Sequence, residues 1–176
     1  MLLDCSQNST RKAPAGKISA TAANLGGSLN AITCYLLERS LKTLGIRVER
    51  QNRNAGIIAE HLQKNPRISK VYYPGLENHP GYAVARKQMK GFGGMLAFEL
   101  DGLKPERFLK NLKVITPALS LGGVETIICS PATTSHEKIT PEERAELGIS
   151  DSLLRLSVGI EDAEDLIADI DGALAA

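Results

Sequence analysis

An arginine stands in the middle of an apolar, strand-like segment near the end of the sequence. Residues 153–158 read Leu-Leu-Arg-Leu-Ser-Val, and the side chains of a strand alternate between two faces. Arg155 therefore shares a face with Ser157, while Leu154 and Leu156 point the other way. Burying a guanidinium in such a strand costs free energy unless it pairs with an anion. The planar guanidinium can form two parallel hydrogen bonds with a carboxylate. Arg155 is a candidate for binding a substrate carboxylate, and the alternative is a structural ion pair with an acidic residue of the last helix.

A glycine-rich turn, Ser120-Leu121-Gly122-Gly123, is a second candidate for ligand binding. Glycines allow backbone N–H groups to approach an anionic ligand closely. Such turns also connect strands without any further role, so this alternative stays open.

The other residue types that often carry chemistry lack the required spacing. The histidines have no metal-ligand spacing, and the cysteines are odd in number and too far apart for a Cys-x-x-Cys pair. These residues are His61, His79 and His136, and Cys5, Cys34 and Cys129. Gly91, Gly93 and Gly94 match neither a dinucleotide-binding nor a phosphate-binding loop, because no helix is predicted directly after them. We therefore predict no metal site and no disulfide framework.

Composition and charge argue against two classes of protein. The 176 residues carry 21 Lys plus Arg against 20 Asp plus Glu, a formal charge of +1. Such a balance gives no strong positive potential that would attract the phosphate backbone of a nucleic acid. Four Tyr, three Phe and no Trp are too few for a base-stacking platform. No apolar run reaches the roughly 18 residues that a membrane span needs. We expect no nucleic-acid partner and no membrane partner. The number and spacing of the cysteines and the acidic Asp4 favour a cytoplasmic protein without a secretory signal, and the Lys and Arg among the first 17 residues leave a transit peptide as the alternative.

The chain is predicted to fall into three segments. Residues 1–27 are small and polar without an apolar period, so we expect them to be poorly structured. Residues 28–64 carry apolar side chains at helical spacing behind a possible N-cap at Ser28, which predicts one long helix of the kind that connects domains. A kink or break at Gly45 is the alternative. Residues 65–176 are predicted to form a C-terminal α/β domain.

Short strand and helix patterns alternate through this last segment. The predicted strands include residues 70–73, 94–100, 125–129 and 153–158, with a further strand beginning at 114–115. Thr140-Pro141-Glu142-Glu143 is a capping box with proline at the first helical position, and Gly148 follows as a C-terminal cap. Because the connections are short, the fold class we predict is α/β: a long N-terminal helix leading into a small sandwich with a mostly antiparallel or mixed sheet of about four strands.

Several longer motifs occur in a fixed order. They read Ser120-Leu-Gly-Gly-Val-Glu-Thr, Pro131-Ala-Thr-Thr-Ser-His136, Pro141-Glu-Glu-Arg, Gly148-Ile-Ser-Asp and Leu154-Arg-Leu-Ser-Val-Gly-Ile-Glu-Asp162. Upstream, Val71-Tyr-Tyr-Pro-Gly-Leu76 and Gly91-Phe-Gly-Gly-Met95 belong to the same pattern. From about Leu25 onward, the sequence resembles the C-terminal domain of the Cys/Met metabolism PLP-dependent enzymes. This family contains cystathionine γ-synthase, the cystathionine lyases, methionine γ-lyase and the homoserine sulfhydrylases.

The resemblance implies roles for three residues. It implies that Arg155 binds the substrate α-carboxylate and that Ser120 lies on the substrate and cofactor side of the cleft. The family's Thr-His motif reads Ser135-His136 here, which implies that the Ser135 hydroxyl supports the arginine. It also implies pyridoxal 5′-phosphate (PLP) as the cofactor and the C-terminal fold of fold-type I PLP enzymes. The family's Schiff-base lysine and other cofactor-binding motifs are not found here, so we do not expect covalent PLP binding or catalysis by this chain alone.

Two functions follow from these features. The first is the C-terminal portion of a transsulfuration-type carbon–sulfur lyase or transferase acting on cystathionine, methionine or activated homoserine. Its partners would be a sulfur amino acid and a PLP-binding domain, on a separate chain or in a missing half, and an exposed helix stripe favours a homo-oligomer. The second is a truncated, non-catalytic binding or structural module. A split gene product, a truncation and an expression fragment stay open, as do β-elimination, γ-elimination and γ-replacement.

Overall fold

The computed structural model describes residue 19, residues 21–22 and residues 29–176. The three described residues of the segment 1–27 are helical, and the rest of that segment lies outside the described residues. The chain divides into two compact units, of which the first ends at Thr43 and the second runs from Leu44 to Ala176.

The predicted long helix is interrupted. It consists of α1 (Ala31–Leu41) and α2 (Leu44–Leu62). The break lies at residues 42–43, where the backbone N–H of Thr43 bonds to the carbonyl of Ser40 at 3.4 Å and the Thr43 hydroxyl donates to the same oxygen. These bonds between residues three apart tighten the last turn and end the regular α-helical pattern.

The structure differs from the sequence signals for the start of this helix and for its break. The N-cap of α1 is Asn30, whose side chain accepts the Thr33 N–H at 2.8 Å, and the predicted cap Ser28 lies outside the described residues. Gly45, the alternative point for a kink or break, lies inside α2, just after the break that the structure has at residues 42–43. Glycine is tolerated at this exposed helical position at a cost of about 1 kcal/mol.

Helix α2 belongs to the core of the second unit. Its inward face buries Ala55, Ile58, Ala59 and Leu62 completely. The predicted boundary at residues 64 and 65 therefore separates α2 from the sheet that it packs against. The boundary found in the structure is at residues 43 and 44.

Within residues 29–176, five strands form one mixed sheet in the order β1-β2-β5-β4-β3. Their bounds are β1 Ile68–Tyr72, β2 Met95–Leu100, β3 Thr116–Pro117, β4 Ile127–Cys129 and β5 Leu153–Ser157. All neighbouring pairs are antiparallel except β3 and β4, which are parallel. The prediction of a mixed sheet is confirmed, but the strand number is five instead of about four. The predicted strand beginning at residues 114–115 is found slightly later, as the two-residue β3.

Five further α-helices or turns complete the second unit. They are α3 Tyr82–Gln88, α4 Pro105–Asn111, a 3₁₀ turn Pro131–Thr133, α5 Pro141–Glu146 and α6 Ala163–Ala175. The capping box predicted for α5 is present, since Thr140 and Glu143 bond reciprocally, and Gly148 adopts a left-handed φ of 72° after the helix ends. Among the described residues, none of the helices is long and apolar enough to span a membrane.

The hydrophobic core lies on one face of the sheet. Leu96 and Phe98 of β2 and Leu154 and Leu156 of β5 point into it, as the alternation along each strand requires. Helices α2, α4 and α6 contribute to the same core, and Phe108 of α4 packs edge-on against Phe98 at 6.1 Å between ring centroids. The other residues of β5, Arg155 and Ser157, are thereby placed on the opposite face.

Candidate functional site

Arg155 lies in the central strand of the sheet between two small residues. Its partners across the ladder are Ala97 of β2 and Cys129 of β4. Residues directly opposite in antiparallel strands share a face, so neither neighbour fills the space around the guanidinium with a long side chain. The side chain is half-buried.

The Arg155 guanidinium makes one hydrogen bond within the described residues. Its Nη2 donates to the main-chain carbonyl of Ser120 at 3.1 Å. Its Nε is buried and has no hydrogen-bond partner, and the described part of the chain supplies no carboxylate within ion-pair distance of this side chain. The ion pair with the last helix, which the sequence left open, is therefore not made.

The Ser120-Leu121-Gly122-Gly123 turn is held against this arginine by two further side chains. The Gly122 N–H donates to the hydroxyl oxygen of Ser157 at 2.8 Å, and Ser157 is two residues from Arg155 on the same face of β5. The Gln51 side chain of α2 donates to the Gly123 carbonyl at 2.7 Å. Gly122 has a φ of 77°, a conformation that most other residues adopt only with strain. The Ser120 side chain itself is exposed.

The chain that leaves β5 is fixed by a buried polar network. The Glu161 carboxylate accepts the Thr126 N–H at 2.6 Å and the Thr126 hydroxyl at 2.8 Å, and that hydroxyl accepts the Gly159 N–H at 2.9 Å. Asn54 of α2, which is 1 % exposed, donates to the carbonyls of Gly159 and Glu161. This network fixes the carboxyl end of β5 relative to α2 and to the residues just before β4.

Ser135 is separate from this arrangement of bonds. Its exposed hydroxyl lies 2.8 Å from Nδ1 of His136, its neighbour in the sequence, and the described residues show no hydrogen bond from it to Arg155. The structure therefore links Arg155 with Ser120 directly and leaves the supporting role of Ser135 as a prediction.

A second polar cluster, formed by side chains of β1, β2 and the chain just before β5, lies on the same face of the sheet as Arg155. The Tyr72 hydroxyl donates to Oε1 of Glu99 at 2.5 Å, and the Ser150 hydroxyl donates to Oε2 at 3.0 Å. The hydrogen bond to Glu99 raises the pKa of Tyr72 above its usual range, with burial as a further cause. This cluster lines an open cleft of about 410 Å³ that also includes Pro141 and Asp151.

Neither of the two clefts offers a stronger candidate site than the Arg155 region. A larger open cleft, about 630 Å³, lies beside Lys113 and Asp169 and does not include Arg155. Within the described residues, no group of three or more His, Cys, Asp or Glu side chains could hold a metal ion. The Arg155 region therefore remains the strongest candidate on the basis of its unpaired guanidinium donors.

Sequence reasoning missed the residues that hold the turn in place. Ser157 carried a usable signal, since it was predicted to share a face with Arg155 two positions earlier. Gln51 carried none, because its partner Gly123 lies 72 residues away in the chain.

Comparisons with known proteins agree with this fold and these motifs. The chain is 50 % identical over 151 residues to the L-methionine gamma-lyase of Fusobacterium nucleatum, covering 85 % of this chain and 38 % of that protein. It is 48 % identical over 157 residues to the cystathionine gamma-synthase of Escherichia coli, covering 88 % and 41 %. The structure superposes on that of a cystathione gamma lyase from Micromonospora echinospora with a TM-score of 0.89 at 40 % identity, covering 92 % of this chain and 43 % of that one.

The chain thus spans about two fifths of the length of these relatives. A family model described as Cys/Met metabolism PLP-dependent enzyme matches residues 7–175, nearly all of the sequence. The chain belongs to the family of Cys/Met metabolism PLP-dependent enzymes.

Proposed function

We propose that this chain is the C-terminal portion of a transsulfuration-type enzyme, in which Arg155 binds the α-carboxylate of a sulfur amino acid. The reaction class is carbon–sulfur lysis or transfer, and the substrates are cystathionine, methionine or activated homoserine. Relatives named as methionine and cystathionine lyases and as a cystathionine synthase support this substrate class.

The state of the Arg155 guanidinium carries the proposal. One of its nitrogens donates to the Ser120 carbonyl, and the buried Nε has no hydrogen-bond partner among the described residues. A buried donor without a hydrogen bond costs about 1–3 kcal/mol, and a carboxylate that accepts from the guanidinium edge removes that cost. An arginine kept for stability would instead be expected to have an acidic partner in the fold, as Arg144 has with Asp151 at 3.0 Å.

The two serines have different supporting roles in this proposal. Ser120 orients the guanidinium through its main-chain carbonyl, and its exposed hydroxyl faces away from the core, where a ligand can reach it. For Ser135 the supporting role rests on the family resemblance alone, since its hydroxyl lies 2.8 Å from Nδ1 of His136 and makes no hydrogen bond to Arg155 within the described residues.

The donors at this site fit a carboxylate and do not fit PLP as a whole. They consist of one guanidinium and nearby hydroxyl and backbone groups, and within the described residues none of their hydrogen bonds involves a lysine or an acidic side chain. PLP in this family needs a lysine for its covalent link. We therefore assign the cofactor to a PLP-binding part that lies on another chain or elsewhere in a longer protein, and we propose that part as the partner of this chain.

The carboxylate site can be tested on the whole 176-residue chain by NMR. The Arg155 Nε–H signal of the ¹⁵N-labelled protein is followed while L-methionine is added, with L-methioninamide as the matched ligand that lacks the carboxylate. We expect the acid to shift the signal and the amide to leave it unchanged. Arg144→Lys is the matched control variant, because Arg144 also has a buried, unpaired Nε but is already engaged by Asp151. No response to methionine in the parent chain would show that the carboxylate assignment is wrong.

The enzymatic part of the proposal needs a second experiment. The chain is co-expressed with the PLP-binding part of the Fusobacterium methionine gamma-lyase, and the release of keto acid from L-methionine and L-cystathionine is measured. We expect activity that depends on Arg155 and is absent from the chain alone. Methionine binding at Arg155 without any stable complex would favour the alternative, a non-catalytic binding module.

A further inference from the structure

Three hydrogen bonds hold the four-residue turn Ser120–Gly123 against β5 and α2. Arg155 bonds the carbonyl of Ser120, Ser157 accepts the N–H of Gly122, and Gln51 donates to the carbonyl of Gly123. We infer that Ser157 and Gln51 are positioning residues, which set the orientation of the Arg155 guanidinium through this turn. The inference rests on the proposed function, since it concerns the affinity of the same site for a carboxylate.

Ser157 holds the turn from strand β5, two residues after Arg155. It is 2 % exposed and cannot itself contact a ligand in solution. Side chains two residues apart on a strand lie on one face about 6–7 Å apart. The hydroxyl of Ser157 and the guanidinium of Arg155 therefore engage the turn at two successive points, Gly122 and Ser120, and fix its register along the strand.

Gln51 holds the other end of the turn from a different element. Its bond to Gly123 ties the turn to α2, which is anchored by four completely buried side chains. The turn is thus fixed by one bond from the sheet and one from a helix, in addition to its bond with Arg155.

The orientation of the Arg155 guanidinium depends on this turn. The Ser120 carbonyl is its one hydrogen-bond partner within the described residues, so a turn released from Ser157 or Gln51 leaves the side chain free to rotate. Carboxylate binding must then order both the turn and the side chain, and this loss of conformational entropy weakens the affinity. Loss of either bond is therefore expected to weaken carboxylate binding without removing any group that touches the ligand.

The test uses the full chain and the methionine titration described above. Ser157→Ala and Gln51→Ala remove the two bonds separately, Ser157→Thr keeps a hydroxyl at that position, and Ser152→Ala is a matched control at a partly buried serine just before β5. We expect each alanine change at 157 and 51 to raise the apparent dissociation constant about five-fold, which corresponds to one hydrogen bond. Ser157→Thr and Ser152→Ala are expected to leave it within about two-fold.

Hydrogen exchange separates positioning from a general loss of structure. Exchange of the Gly122 amide should accelerate in Ser157→Ala, while exchange in β2 and β5 stays slow at a temperature well below melting. Unchanged methionine binding in Ser157→Ala would overturn the inference and leave the carboxylate site intact. If Ser157→Ala does not fold, Gln51→Ala decides in the same way. If the parent chain itself does not bind methionine, the proposed function fails and the positioning role fails with it.

Discussion

The guanidinium of Arg155 donates to the main-chain carbonyl of Ser120, 35 residues earlier in the chain, and not to an acidic side chain. A neutral carbonyl orients the guanidinium but does not neutralise it. The positive charge of this half-buried side chain is therefore available for an anion from outside the described residues.

The first prediction separates binding from stability at this residue. Arg155→Lys should change the free energy of unfolding by less than about 1 kcal/mol, because no ion pair is lost and lysine can extend toward water. In the assembled enzyme the same change should weaken transition-state binding by roughly 2–4 kcal/mol, since lysine keeps the charge but loses the two-pronged geometry. Thermal melting and steady-state kinetics measure the two effects. A lower melting temperature with unchanged kinetics would contradict the carboxylate assignment.

The second prediction concerns a buried carboxylate that anchors the chain before β3. Asp169 of α6 accepts the backbone N–H groups of Lys113, Val114 and Ile115 at 2.8, 3.0 and 2.9 Å. Asp169→Ala should lower the free energy of unfolding by about 2–4 kcal/mol, because these donors lose their acceptor. Urea denaturation measures the change. Asp165→Ala, at an exposed position of the same helix, is the control and should cost less than about 1 kcal/mol.

The third prediction compares two glycines in different surroundings. A Cβ on Gly159 would collide with the Val124 carbonyl oxygen and would lie 2.7 Å from the carbonyl carbon of Glu125, whereas a Cβ on Gly172 of α6 would meet nothing within 4 Å. Gly159→Ala should therefore destabilise the fold by about 1–3 kcal/mol through overpacking. Gly172→Ala should stabilise it by about 0.5–1 kcal/mol, because alanine restricts the unfolded chain and favours the helix. Equal melting temperatures for the two variants would refute this comparison.

The fourth prediction concerns alkaline pH. Burial raises the pKa of Tyr73 from its usual 10.0 to about 12, and its hydroxyl donates to the carbonyl of Gly93 at 3.1 Å. The folded state holds this proton more tightly than the unfolded state does. The resulting contribution to stability is complete below pH 10 and is lost as the pH rises from about 10 to about 12. Urea denaturation at a series of pH values should show this decline, and Tyr73→Phe should flatten it. A variant with the parent's pH dependence would rule out Tyr73 as the cause.

The fifth prediction concerns association through α1. The side chains of Ile32, Tyr35 and Leu36 are 73 %, 62 % and 51 % exposed, which is unusual for a group of large apolar residues on one helix. The chain should therefore self-associate, and the double change of Ile32→Lys and Leu36→Lys should shift it toward monomer in sedimentation velocity. Val84→Lys, at an exposed apolar residue of α3, is the control and should not alter the distribution. A parent chain that stays monomeric at high concentration would contradict this expectation.

The sequence by itself determined the local elements and the identity of the candidate residues. The capping box at Thr140, the alternation through β2 and β5 and the helical stripe of α6 are encoded within a few neighbouring positions. Local propensity and period are enough to predict such elements. The alternation also placed Arg155 on the face away from the core, and the motifs around it identified the family, which the comparisons confirmed.

The tertiary structure decided how those pieces meet. The break at residues 42–43 has no periodic pattern, because it depends on a few bonds and not on a repeated burial. The choice between an ion pair and an unpaired guanidinium at Arg155 likewise depended on where acidic groups lie in space. The bond from Gln51 to Gly123 joins residues 72 positions apart, and only the packing of α2 against the sheet brings them together. Contacts of this kind are set by burial of the shared core, which a local pattern does not specify.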